Sequence, residues 1–255
     1  MVPSFHAETA LPTLYIHHWR AWLPERAGQQ TDQRVLTDEK PAATAVPALL
    51  RRRLTPLGRA VCTMLGEMAA HERDLPILHA SRHGDGHRPL DMLDTLFEGE
   101  PLSPTRFGLS VHNAVLGVYS IAFGNHASIA AIAAAGEEFE ALLSEALGYL
   151  AEGRDGVMLV LTDSPVPARY RVEDQAPDQP SALLLELSLR PTSGALCMHP
   201  TTPNAMPPSS NTTAPSTVIT PPRLLSWLEG SAPLVTRTPF VQWVLVPDDP
   251  GLSTK

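Results

Sequence analysis

SVHNAVLGVYSIAFG (110–124), SIAAIAAAG (128–136), EEFEALLSEALGYLAEG (137–153) and VMLVLT (157–162) follow one another closely, and their order decides the fold. In the first, Val111, Val115, Val118 and Ala122 recur at helical spacing. The second is small and apolar throughout. In the third, Phe139, Leu142, Leu143, Ala146, Leu147 and Leu150 form one apolar stripe, and Gly153 follows its end. The fourth is a short apolar run that reads as a buried strand.

Upstream, TLYIHHWRAWL (13–23) reads as a strand running into a turn, and polar, Ala/Pro-rich residues 25–48 read as a loop. Thr55-Pro56 predicts a helix start, because Thr caps well and Pro suits the first helical position. Leu57, Val61, Met64, Leu65 and Met68 mark its buried face. PILHA (76–80) reads as a short buried strand, SRHGDGHR as a turn, and Leu90 to Phe97 as a helix. Downstream, ALLLELSL (182–189) and FVQWVLV (240–246) read as strands and RLLSWLEG (223–230) as a helix. Residues 200–222 are rich in Pro, Thr and Ser and read as a flexible loop. Strands alternating with helices predict an α/β layered fold with parallel pairing.

The 255 residues allow one large domain or two small ones. Apolar residues make up 43% and charged residues 18%, enough for a packed core. Aromatic content of 5% leaves that core to Ala, Leu, Val and Ile. A net charge of −8 argues against nucleic acid or an anionic membrane as partner. Two cysteines, Cys62 and Cys197, are too few for a disulfide framework or a four-thiolate zinc site. The first residues have no basic start followed by an apolar run, and no apolar stretch reaches membrane-spanning length, so the expectation is a cytoplasmic protein.

Four constellations were candidates for chemistry. His71, His79, His83 and His87 are spaced for a shared helical face, but Gly84 and Gly86 make the stretch a turn, and exposed loop histidines are the plainer expectation over a metal site. Cys197 and His199 sit two apart beside the Pro-rich loop, a poor scaffold for a thiolate–base pair. Ser110 lacks the second glycine of a hydrolase elbow. Arg51-Arg52-Arg53 reads as a solvated helix entrance, with docking of an acidic partner as the functional alternative. No phosphate-cradling glycine loop is present.

The stretch from about Pro104 to Asp163 resembles the nucleophile region of the ketosynthases, the condensing enzymes of fatty acid and polyketide synthesis. RRRLTPLGRAVCTMLGEMAAH and PILHASRHGDG are similar to that family's early Arg-containing helix and the strand and Gly-rich turn after it. The likeness runs over about 13 to 163 and implies a thiolase-like N-terminal half: layered α-β-α with a mixed, mostly parallel sheet, a single domain over 1–255 with its core at 13–165. Counted back from Gly136, the family's nucleophilic Cys falls on or beside Ala133, and no Cys lies between Cys62 and Cys197. The two catalytic histidines of the family's second half have no match; His199-Pro200-Thr201-Thr202 does not fit.

SRHGDGHR, PLSPTRFGLSVHNA and AAAGEEF resemble the short ketosynthase chain-length factors of aryl polyene pigment clusters in Gram-negative bacteria. That resemblance implies a pseudoenzyme in a heterodimer with a complete ketosynthase, with no cofactor and no metal. It implies pairing through the strand His126, Ala127, Ser128, Ile129, Ala130, Ala131 and Ile132, and an acyl-tunnel gate formed by Val111, His112, Val115, Leu116 and Tyr119. The same composition at 126–132 also suits a central buried strand. Acyl carrier protein, itself acidic, is expected to dock on the partner. Two other classes stay open: an acyltransferase or thioesterase using Cys197 or a histidine, and a free-standing acyl- or carrier-binding module.

Overall fold

Two wholly buried strands, VMLVLTD (157–163) and SALLLELS (181–188), are neighbours in the interior of one large sheet. β1 spans Leu14–Trp22, β2 Val35–Leu36, β3 Ile77–Ser81, β4 Ile129–Ile132, β5 Val157–Asp163 and β6 Ser181–Ser188. β7 spans Leu196–Thr201, β8 Leu234–Arg237 and β9 Gln242–Val246. Every residue of β3, β5 and β6 is buried. Continuous burial is what strands covered on both faces require. The computed structural model describes residues 11–29, 32–170, 177–201 and 218–230, with the strand backbones 234–237 and 242–246.

The sheet order is β4-β3-β5-β6-β1-β7-β9-β8, with β2 beside β1. β3 pairs parallel with β4 and β5, and β1 parallel with β2. β6 runs antiparallel to both β5 and β1, and β7 antiparallel to β1 and β9. The expected mixed α/β sheet is present, and its parallel part is the β4-β3-β5 end, where helical crossovers join the strands. Strands from β6 onward enter antiparallel, and among the described residues α7 is the one α-helix in their connections.

Helices cover both faces. α1 spans Ala48–Arg51, α2 Pro56–Glu67, α3 His87–Phe97, α4 Pro104–Gly108, α5 Ala114–Phe123, α6 Glu138–Ala151 and α7 Pro221–Glu229. Thr55 caps α2, its hydroxyl accepting from Gly58 N at 3.2 Å, with Pro56 in the first turn as expected. α6 and α7 pack Phe139, Leu142, Leu143, Leu224 and Leu225 against one face, together with Leu78, Leu159 and Leu185. α2 and α5 pack Val61, Met64, Leu65, Leu116 and Tyr119 against the other, together with Ile77, Val160 and Leu184.

Three expectations are corrected in detail. The helix over 110–124 begins only at Ala114, because Ser110–Asn113 form a turn. The loop over 25–48 contains β2, which adds to β1. The core does not stop near residue 165, since β6, β7 and α7 contribute Leu183, Leu187, Met198 and Trp227 to it. Most of the Pro/Thr/Ser-rich stretch, 202–217, lies outside the described residues.

Candidate functional site

β3 and β5 end side by side, Ser81 opposite Thr162. The segments leaving those ends, with the first turns of α2 and α5, enclose a cavity of about 300 Å³. Leu54, Leu57, Val61, Leu109 and Val115 give it apolar walls, and His79, Ser81 and Thr162 form a polar floor. This is the form of a small-molecule pocket: apolar walls and a few fixed polar groups.

The floor is braced by two histidines. His79 Nδ1 lies 3.2 Å from the His112 carbonyl, which can only accept, so Nδ1 carries the proton. His79 Nε2 then accepts from the Thr162 hydroxyl at 2.8 Å. His112 Nε2 in turn donates to the Ser81 carbonyl at 2.9 Å. Burial first, and the neighbouring His112 second, lower the pKa of His79 to about 4, so it is neutral near pH 7. Gly84, at φ +58, is required here twice over: the left-handed backbone suits glycine, and an added Cβ would sit 3.1 Å from His112 Cε1.

The expected histidine group is dispersed by this architecture. His79 is 6% exposed in a strand rather than in a loop. His71 Nδ1 lies 3.2 Å from the Tyr119 hydroxyl, His83 Nδ1 lies 2.9 Å from Asp163 Oδ1, and His87 lines the cavity. Burial raises the pKa of Asp163, against the hydrogen bond from His83. Among the described residues, no three His, Cys, Asp or Glu side chains converge on a common metal position.

Of the five residues expected to form a gate, Val111, His112 and Val115 line the cavity. Leu116 and Tyr119 are fully buried in the core between α5 and α2 and do not line it. Val111 and His112 belong to the turn before α5 and Val115 to the helix face at the cavity, whereas Leu116 and Tyr119 point from the helix into the core packed with α2.

Within the strand expected over 126–132, His126, Ala127 and Ser128 lead into β4, and the Ser128 carbonyl accepts from Ile77 N at 2.9 Å. Among the described residues β4 pairs with β3 alone and forms one end of the sheet, the position of an edge strand and not of a central one. Ala131 is exposed, and so is Ala133 just beyond β4. Past Ala133 the chain turns into α6, where the Glu138 carboxylate folds back onto Gly136 N.

Cys197 and His199 lie on β7, three positions across the sheet from β5, with Cys197 paired to Tyr15 and the His199 ring 3.1 Å from Thr13 Oγ1. They contribute nothing to the cavity. Cys62 is buried in α2, and desolvation pushes its thiol up to about 12, which leaves it protonated and inert. Arg51 and Arg52 surround the end of α1, whereas Arg53 lines the cavity, closer to a site than a purely solvated entrance suggests. The His79–Thr162 pair and the folded-back Glu138 were not foreseen; a histidine inside the apolar run PILHA was the one local signal.

The model of the family described as "Beta-ketoacyl synthase, N-terminal domain" matches residues 19–243. A chain of the structure "Ketosynthase (ApeO) in Complex with its Chain Length Factor (ApeC) from Xenorhabdus doucetiae" is similar, with TM-score 0.68, 23% identity, and coverage of 92% of this chain and 99% of that one. "The ishigamide ketosynthase/chain length factor" is similar at TM-score 0.51 and 14% identity, over 74% of this chain and 67% of that one. No curated protein matches. None of the described helices is long and apolar enough to cross a membrane.

Proposed function

The chain belongs to the beta-ketoacyl synthase N-terminal domain family, and on that premise we propose that it is a non-catalytic, ketosynthase-like partner subunit. It forms a heterodimer with a complete β-ketoacyl synthase and serves as chain-length factor and stabilising subunit in aryl polyene synthesis. The observation that carries the reading is the position of β4. The strand leading to Ala133 is four residues of Ile and Ala, short of polar side chains, and it pairs on one side only among the described residues. An apolar, uncharged edge is a template for another strand, and natural proteins leave one open where a partner covers it.

Absence of a thiol between Cys62 and Cys197 supports the non-catalytic part. Without a thiolate at the position of Ala133 no acyl-enzyme forms there. Val111, His112 and Val115, around the cavity, are the residues assigned to chain-length control; Leu116 and Tyr119 act through packing, as support for α5. Acyl carrier protein meets the partner's face, since the net charge here is −8.

The test is co-expression with a complete ketosynthase from the same organism, tagging this chain alone. A stoichiometric complex, with the chain insoluble by itself, is expected. A stable monomer that captures nothing overturns the reading. Carrier binding by the isolated chain at low salt overturns the assignment of carrier docking to the partner.

A further inference from the structure

Glu138 begins α6, and its side chain turns back over the preceding loop. Oε1 accepts from Gly136 N at 3.0 Å and from Ala134 N at 3.4 Å, and Oε2 lies 3.1 Å from Gly136 N. The loop holds Ala135 at φ +51 and Gly136 at φ +111, consecutive left-handed residues that turn backbone N–H groups toward a common side. Glu138 is 3% exposed. It shares a narrow cleft with Asp163, itself 5% exposed, and with Arg82.

Converging amides at the start of a long helix lower the pKa of a nearby thiol and stabilise a developing oxyanion. In this chain a resident carboxylate has taken those amides. A thiolate beside it would meet a negative charge at close range, with its stabilising donors already engaged.

We infer that Glu138 is an internal anion that closes this turn to nucleophilic chemistry, so that catalytic inertness is held by two residues, Ala133 and Glu138, and not by the missing thiol alone. The inference rests on Ala133 marking the family's nucleophile position. It adds to the partner reading a second device that keeps the chain from reverting by one substitution.

The experiment compares Ala133→Cys with Ala133→Cys/Glu138→Gln in the full chain, in whichever form it purifies, alone or with its partner. Iodoacetamide is the probe: the thiolate sulfur bonds to the methylene carbon, the C–I bond breaks, and iodide leaves with its electron pair. Mass spectrometry of the peptide bearing position 133 separates this site from every other thiol. The double variant is expected to alkylate about threefold faster near neutral pH, with the thiol pKa lower by about one unit, because the larger thiolate fraction is partly offset by lower intrinsic nucleophilicity. Ala133→Cys/Glu138→Asp, which keeps the charge, should stay slow. Gln keeps an oxygen for Gly136 N, and circular dichroism checks that all variants share one fold. Equal rates for the single and double variants, whether fast or slow, overturn the inference. Failure of the partner reading would show only in co-purification and leave this rate ratio unchanged.

Discussion

Thr162 donates its hydroxyl to Nε2 of His79 at 2.8 Å, joining β5 to β3 beneath the cavity. The bond fixes the neutral tautomer of His79, because Nδ1 must donate to the His112 carbonyl. Both partners are buried, at 6% for His79 and 3% for Thr162. Protonating His79 would place a charge in the core and remove the acceptor that Thr162 uses.

Stability should therefore fall with acid through a window set by His79. Its folded pKa is lowered to about 4 from the ordinary 6.5, so between those limits the unfolded chain binds the extra proton. This contribution is complete above about pH 6.5 and lost progressively down to about pH 4, on the order of 3 kcal/mol in all. Urea denaturation across that range measures the slope. His79→Gln is expected to flatten it, and an unchanged slope would refute the assignment.

Gly66→Ala should destabilise the chain. A Cβ there would lie 2.9 Å from Cε1 and Cζ of Phe123. That ring packs 4.8 Å from Tyr119 and 5.1 Å from His71, centroid to centroid, so relieving the contact disturbs both pairs. Overpacking of this kind costs about 1–3 kcal/mol. Adding Phe123→Leu should recover part of the loss, which a thermal denaturation double-mutant cycle can read.

Ala131→Lys tests the edge strand. Ala131 is exposed in β4, so the fold should tolerate the change within about 0.5 kcal/mol. A lysine on the open edge opposes sheet continuation. Co-purification with the ketosynthase should drop sharply while the melting temperature barely moves. Undiminished capture would place the interface elsewhere.

Val111→Trp tests the gate. Val111 is 46% exposed and borders the cavity, so a larger ring can be placed without disturbing the core. The reconstituted pair should make shorter products, read by mass spectrometry. Tyr119→Phe, which removes only the hydroxyl facing His71, should leave product length unchanged and lower stability by about 1 kcal/mol.

How legible each part was depends on the range of the forces behind it. α6 and β5 were readable because the Leu stripe from Phe139 to Leu150 and the run from Val157 to Thr162 carry their own periodicity. α2 was readable because Thr55 and Pro56 act on the turn immediately after them. β7 was missed as a strand: its Pro200 and the Pro-rich residues beyond mask a segment made stable by pairing with β1 and β9. The family likeness was visible over 13–163, yet the family match continues to residue 243, where strands supply the order and few motifs mark it.

The sequence by itself determined the kinds of element, their order, the missing thiol near Ala133 and the family, since these depend on local pattern and composition. Only the tertiary structure decided that β4 lies at the sheet's edge among the described residues, that His79 is a neutral core brace, that Leu116 and Tyr119 turn from the cavity, and that Glu138 occupies the turn before α6. Each of these is set by contacts between segments distant in the chain or by a backbone path that no periodicity encodes. Burial and hydrogen bonding assign their roles only once the segments have met.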